Sequence, residues 1–444
     1  QSFRGGIYRS DPNGKVPRVL RPTPTKAGSR VRAKVPEGMP AVLIEKLAPA
    51  LESAVRGQVA VRPVPPPEGF ASKTARVVRL ATPGVKSSSV EERLLAYGWV
   101  ELNVRRREAL AGAPPTWRHL AEIRRPGFNG LSVWDGWHKG VDEDGDDVDL
   151  VMVQQDKISG GVKGSGKSTD EHVDVAAIAL DPTARLYLLD PSELAELGRW
   201  AAVAEAVAGS ANECARLLAT LHADGLARLH RMSAVADERR AAGIPPANVV
   251  RGETTTWIVV DELLALTNHP DKDVKTACVG MLCDIVGRFR KVGFHVICST
   301  LKPSGDVIPT YLRDNIDIKQ AFRCTTAEAS TAVLGDKAWA SMGYGGHRID
   351  ADAPKGISYL LAEGGSPRRM RGVNLTEPER DEVLAVALRL RGLDRPAIDL
   401  GKSVRPAAPA PRESVKVAAP VAVAAVPEPA APPSRDTNRA EAAK

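Results

Sequence analysis

The sequence predicts an α/β fold: a core with a mainly parallel sheet, preceded by a small α+β domain and followed by a disordered Pro/Ala-rich tail. Three observations carry this. Short apolar runs of strand length alternate with helix-like stretches between about residues 150 and 390, the order a parallel sheet needs because each crossover must return the chain to the same edge. A glycine-rich stretch, SGGVKGSGKST at 159–169, separates one such strand from one such helix. Beyond about residue 396 the chain turns to Ala and Pro with scattered charges, too little apolar surface to offset the entropy of ordering.

The front of the chain reads in pieces. Residues 1–28 form a basic flexible arm, with Arg4, Arg9, Lys15, Arg18, Arg21 and Lys26 against the single acid Asp11. Over 29–83 the pattern predicts a small β-α-β-β domain. SRVRAKV alternates as a strand does, Leu43, Leu47, Leu51 and Val55 recur every fourth residue, and QVAVRPV and TARVVRLAT read as further strands. Residues 84–139 are expected to be a charged helical linker region, with VRRREAL at 104–110 and IRRPGF near 125 as solvated faces. VDEDGDDVDLVMV follows. Its acids suggest a calcium loop, but Gly145 stands at the wrong position and no bidentate Glu follows, so a turn between two strands is expected.

The domain at 140–395 should hold the core. A helix is expected from Ser168 to Leu180, and a long one from about 212 to 242 with Leu217, Leu218, Leu221, Leu226 and Leu229 as its apolar positions. LYLLD (186–190), TTTWIVVDEL (254–263), FHVICST (294–300), IKQAF (318–322) and GISYLL (356–361) read as strands. One amphipathic helix follows Glu379. The segment feeding the glycine loop, DKISGG, is polar, which makes the apolar VMV at 151–153 a competing sheet member.

Composition narrows the class. With 444 residues, 43% hydrophobic and 26% charged, the chain has room for two or three domains of ordinary soluble character. Its formal net charge of +7 favours an acidic partner such as nucleic acid. Cys214, Cys278, Cys283, Cys298 and Cys324 form no C-x-x-C pair and read as free core thiols; the histidines show no ligand spacing, so no structural metal is expected. No run reaches the roughly 20 apolar residues of a membrane helix. Because the chain opens on Gln1, a membrane-anchoring segment upstream of residue 1 stays open, and the expected location is the cytoplasm or the cytoplasmic face of the membrane.

The chemistry sits in two segments. Gly161-x-x-x-x-Gly166-Lys167-Ser168 is the pattern of a phosphate-binding loop. Successive backbone N–H groups turn toward one anion, the lysine supplies a point charge for the outer phosphates, and the serine hydroxyl ligates Mg²⁺. Gly161, Val162, Lys163, Gly164, Ser165, Gly166, Lys167, Ser168 and Thr169 are therefore the candidate ATP contacts. Trp257 to Val260 is an apolar strand ending in Asp261 and Glu262, 94 residues after Lys167. There Asp261 would complete the Mg²⁺ shell with Ser168, and Glu262 would act as general base on the attacking water.

One further segment sharpens the class. In GRFRKVGFHVICSTLKPSGDVIPTYLRDNIDIKQAFRCTTAEASTAVLG, a helix ending in Arg290-x-x-Gly293 leads to a strand. Thr300-Leu301-Lys302-Pro303, Asp306-Val307-Ile308, Asn315-Ile316 and Ala321-Phe322-Arg323 then follow in order. This closely resembles the FtsK/SpoIIIE family of ring-forming DNA translocases, and the Pro/Arg-rich front resembles the family's actinobacterial plasmid-transfer members. The resemblance spans about 140–375. It implies a RecA-like P-loop ATPase core, ATP and Mg²⁺ as cofactors, a homo-oligomer (a hexamer), double-stranded DNA as substrate, and ATP-driven DNA translocation in plasmid transfer or chromosome segregation. It also implies that Arg290 is an arginine finger serving a neighbouring subunit. Leu301 stands where the family has Gln, and Lys302 where it has Arg; no winged-helix reading module is evident. Two other readings share these features: a type VII-like secretion ATPase acting on protein, and a non-hydrolysing, nucleotide-gated DNA-binding scaffold.

Overall fold

Ten strands, six of them parallel in one run, form the sheet on which the candidate site is built. The computed structural model describes residues 18–19, 22–34, 58–63, 99–105, 109–243, 251–362 and 365–393. The arm at 1–17, the helix expected over 43–55, the strand TARVVRLAT, residues 106–108 of the basic cluster and the tail beyond 396 lie outside the described residues.

A small antiparallel sheet comes first: β1 (Arg18–Val19), β2 (Thr23–Pro24), β3 (Gly28–Lys34), β4 (Gln58–Pro63) and β5 (Trp99–Arg105), ordered β1-β3-β5-β4 with β2 beside β3. β5 falls inside the span expected to be helical. WVELNVR alternates Val100, Leu102 and Val104 with Glu101, Asn103 and Arg105, a period of two, and Leu102 is buried opposite Val31 and Val61. The neighbouring arginines masked that alternation. The helical content described within 84–139 is α1 (His119–Ile123) and the 3₁₀ turn Val133–Asp135.

The large sheet comprises β6 (Trp137–Asp142), β7 (Asp147–Leu150), β8 (Lys157–Gly160), β9 (Ala184–Leu189), β10 (Ala206–Ala208), β11 (Thr255–Val260), β12 (Phe294–Thr300), β13 (Ile318–Phe322), β14 (Ile357–Leu361) and β15 (Arg368–Gly372). Its order is β10-β9-β11-β12-β8-β13-β14-β15-β6-β7. Pairing is parallel from β10 to β13 and antiparallel from β13 to β7. β6 and β7 are the two strands around the acidic turn. That turn contacts the small sheet: Asp144 O accepts from Ala27 N at 2.9 Å, and its carboxylate pairs with Arg30.

Helices α2 (Lys167–Ala179), α3 (Ala211–Ala241), α4 (Leu263–Thr267), α5 (Lys272–Arg288), α6 (Thr310–Asn315), α7 (Ala327–Leu334), α8 (Ala338–Ser341) and α9 (Glu377–Leu390) complete the core. Strand alternation divides the apolar side chains between the sheet's faces. Ile258, Val260 and Val296 join Leu218, Leu221, Leu282 and Phe289 from the α3/α5 side; Trp257, Val259 and Ile297 join Val173, Ile178, Val383 and Ala387 from the α2/α9 side. Because both faces are covered, strands such as TTWIVV are buried throughout and read as continuous apolar runs.

β8 is the exception, and it corrects the expectation raised by VMV. Residues 151–153 lie outside any strand, while the polar Lys157–Gly160 is wholly buried between β12 and β13. Its charges are met by partners distant in sequence. Lys157 Nζ lies 2.5 Å from Asp170 Oδ2 and 2.6 Å from Asp174 Oδ2, and Asp156 Oδ1 accepts from Val296 N at 2.6 Å. The buried Lys157 charge, paired in this way, is tolerated where a lone one is not. Gly160 is required by packing, since a Cβ there would sit 2.6 Å from Val333 Cγ2.

Candidate nucleotide site

The loop 161–166 links the C-terminal end of β8 to the N-terminus of α2, so the first amides of α2, which lack intrahelical partners, and the positive end of its dipole meet at one place. The turn closes through Ser165 N to Val162 O at 3.2 Å. Gly166 has φ +108°, and a Cβ on it would meet Gly356 N at 2.6 Å, so a glycine is needed both for conformation and for the close approach of the loop before β14.

β12 lies between β8 and β11, yet the C-terminal ends of all three face the same cavity of about 790 Å³, within the range of small-molecule sites. Val162, Lys163, Gly164, Gly166, Lys167, Ser168 and Thr169 line it together with Asp261, Glu262 and Leu301. Gly161 and Ser165 belong to the same loop, anchored by Gly161 N to Thr300 O and by Ser165 O to Gly356 N.

Lys167 is buried, with Nζ 3.4 Å from Asp261 Oδ1 and 3.2 Å from Ser299 Oγ. Burial disfavours its charge, but the carboxylates of Glu171, Asp261 and Glu262 outweigh that and raise its pKa. Ser299 Oγ lies 2.5 Å from Asp261 O and 3.0 Å from Glu171 Oε2. Burial, with Asp261 beside it, pushes the Glu171 carboxyl well above the usual carboxylate range. Glu262 is held on both oxygens: Thr300 Oγ1 and Leu264 N donate to Oε1, at 2.7 and 3.1 Å, and Leu301 N donates to Oε2 at 2.9 Å.

Beneath the loop lies a group of charges that sequence reasoning missed. Lys139 and Lys157 are fully buried against Asp170 and Asp174 of α2; Lys139 Nζ is 2.5 Å from Asp174 Oδ1, and Trp137 Nε1 donates to that same oxygen at 2.8 Å. Burial opposes the Asp170 charge, yet the two ammonium groups hold its pKa at about 2. The group fastens the first turns of α2 to β6 and β8. No spacing rule finds it, because its members are drawn together only by the fold.

Arg290 is not brought to this cavity. It lies in the 3₁₀ turn Phe289–Val292 that precedes β12, and Thr300, at the other end of β12, is level with Gly160. Seven strand residues, roughly 20 Å, therefore separate it from the phosphate loop of its own chain. There it pairs with Asp317 at 3.0 Å and remains 42% exposed.

A mainly parallel α/β core with a glycine loop between β8 and α2, and an acidic pair two strands away at the same end of the sheet, is the architecture of P-loop ATPases. The chain is similar in sequence to DNA translocases of the FtsK/SpoIIIE kind. It is 25% identical over 282 residues to DNA translocase FtsK of Treponema pallidum, covering 61% of this chain and 33% of that protein. It is 30% identical over 142 residues to DNA translocase FtsK of Bradyrhizobium diazoefficiens, covering 28% and 17%. The chain thus spans a third or less of the length of these relatives. In fold it resembles the pCW3 conjugation coupling protein TcpA in its monomer form with ATPgS. The TM-score is 0.50 at 14% identity, over 87% of this chain and 98% of that one. No protein-family model matches. Among the described residues, no helix is long and apolar enough to cross a membrane.

Proposed function

We propose that this chain is an ATP-hydrolysing motor that moves double-stranded DNA through a ring of its own copies, hexameric as in the family it resembles, in plasmid transfer or chromosome segregation. The observation that carries the reading is the convergence of Lys167, Ser168, Asp261 and Glu262 on one cavity, with both oxygens of Glu262 fixed by β12 and α4. The site suits Mg²⁺–ATP: a buried lysine, glycines where the backbone must approach, and a helix N-terminus. Ser168 and Asp261 would hold the metal, whose contribution is to neutralise phosphate charge. Residues 161–169 orient the triphosphate, and Glu262 takes the proton of the attacking water.

The exposure of Arg290 and its distance from the glycine loop of its own chain support its acting on a neighbouring copy. DNA as the substrate is supported by the sequence likeness to FtsK and by the net charge of +7. The test is nucleotide binding and turnover with duplex DNA. Lys167→Ala should lose ATP binding, whereas Glu262→Gln should keep it and lose turnover. DNA affinity should fall steeply with salt and tolerate sequence changes. Equal loss of binding in both variants, or salt-independent DNA affinity, would contradict the assignment.

A further inference from the structure

We propose that residues 109–115, which follow the small sheet in the chain, form the nucleoside end of the cavity, and that Arg371 is the positioning residue that holds them there. Nucleotide binding is then coupled to the small sheet. The inference rests on reading the cavity as the ATP site.

Sheet order sets the direction. Asp261, Glu262 and Leu301 enter the cavity from β11 and β12, on one side of β8; Lys355, Arg371 and Asn374 enter from the ends of β14 and β15, on the other. A triphosphate seated on the loop with its outer phosphates toward Glu262 must direct its nucleoside toward β14 and β15. At that end the wall includes Pro114, contributed from outside the large sheet.

Arg371 is what brings Pro114 there. Its guanidinium is buried, with Nη1 donating to Leu110 O at 3.0 Å and to Gly112 O at 2.6 Å, and Nε to Lys355 O at 3.4 Å. One side chain thus ties the crossing segment to the loop whose Gly356 N bonds Ser165 O of the phosphate loop at 2.9 Å. The segment is fastened elsewhere as well: Leu110 is 1% exposed in the core, Asn374 N donates to Pro115 O at 3.4 Å, and Trp117 Nε1 donates to His138 O at 3.0 Å. β5 ends at Arg105, a few residues before this anchor. A guanidinium withdrawn from water is costly unless its N–H groups are met by acceptors, and here three backbone carbonyls meet them. The resulting wall offers an apolar ring, Pro114, and a side-chain amide, Asn374, able to pair with a base edge.

The experiment compares two ligands on the full chain by calorimetry: ATPγS, which has a nucleoside, and inorganic tripolyphosphate, which has only the phosphates. Arg371→Ala and, separately, Pro114→Gly should weaken ATPγS by roughly tenfold or more while leaving tripolyphosphate within about twofold. In the unaltered chain, ATPγS but not tripolyphosphate should slow amide exchange over 109–117. Lys167→Ala should lose both ligands, and if the unaltered chain bound neither, the ATP-site reading itself would fall. Equal weakening of the two ligands in Pro114→Gly, or unchanged exchange over 109–117 with ATPγS, overturns the proposal even if Arg371→Ala does not fold.

Discussion

Thr300 Oγ1 donates a 2.7 Å hydrogen bond to Glu262 Oε1, and the amide of the next residue, Leu301, reaches Oε2 at 2.9 Å. The end of β12 therefore sets the direction of the proposed general base. Leu301 lacks the polar side chain of the family's Gln, but the backbone at that position still contacts the carboxylate.

Removing the hydroxyl alone tests this link. Thr300→Val should lower kcat by roughly 10- to 100-fold with ATP affinity unchanged, because the hydrogen bond orients the base and touches no phosphate. Thr300→Ser should restore most of the rate. A rise in KM at constant kcat would place Thr300 in substrate binding instead.

Arg290 and Asp317 form an exposed pair, worth little to the stability of one subunit. Arg290→Ala should leave the melting temperature and ATP affinity nearly unchanged, yet cut DNA-stimulated turnover by about 10³-fold if the residue completes a neighbour's site. Mixing it with Lys167→Ala should recover activity, since intact pockets then meet intact arginines. Mixed rings that stay inactive would show that Arg290 does not act between subunits.

At the far end of α2, Arg391 donates to four carbonyls: Ile178 at 3.0 Å, Ala179 at 2.9 Å, Asp181 at 2.7 Å and Ala184 at 2.9 Å. It closes the C-terminus of the helix whose other end carries the phosphate loop. Arg391→Ala should cost about 2–3 kcal/mol in a denaturant titration, and a chain ending at Leu390 should be no more stable than that variant. A chain ending at residue 403 should keep full stability and ATP hydrolysis; loss of either would place packed structure in the tail.

Burial pushes the Asp156 carboxyl up to about 8 from an ordinary value near 4. Between these values the unfolded chain is ionised while the folded chain keeps the proton, so folding binds a proton and stability falls as pH rises through that window. Asp156→Asn keeps an acceptor for Val296 N and removes the titration, so its melting temperature should decline less from pH 5 to pH 8 than that of the unaltered chain. Parallel profiles would exclude Asp156 as the source.

Strands buried on both faces were readable in the sequence as continuous apolar runs, and for this reason β9, β11, β12, β13 and β14 fall where TTTWIVVDEL and its counterparts place them. The glycine loop before α2 and the Asp261–Glu262 pair after β11 were legible as local sequence patterns, and the fold brings both to one cavity. β8 and β15 were not, because their polar residues are compensated by residues elsewhere in the chain, and the alternation of β5 was masked by the arginines that follow it. Lys157 is neutralised from α2, and Arg371 finds its carbonyls 259 and 261 residues away. The Lys139–Asp174 pair beneath the loop, 35 residues apart, likewise follows no spacing rule.

The central claim, movement along duplex DNA powered by this site, is tested most directly by displacement of a third strand from a triplex placed at one end of a linear duplex. With ATP and Mg²⁺ the unaltered chain should release the third strand at a rate that grows with ATP concentration and saturates, and neither Glu262→Gln nor a non-hydrolysable analogue should support release. Hydrolysis of ATP without displacement, or displacement that persists in Glu262→Gln, would contradict the account.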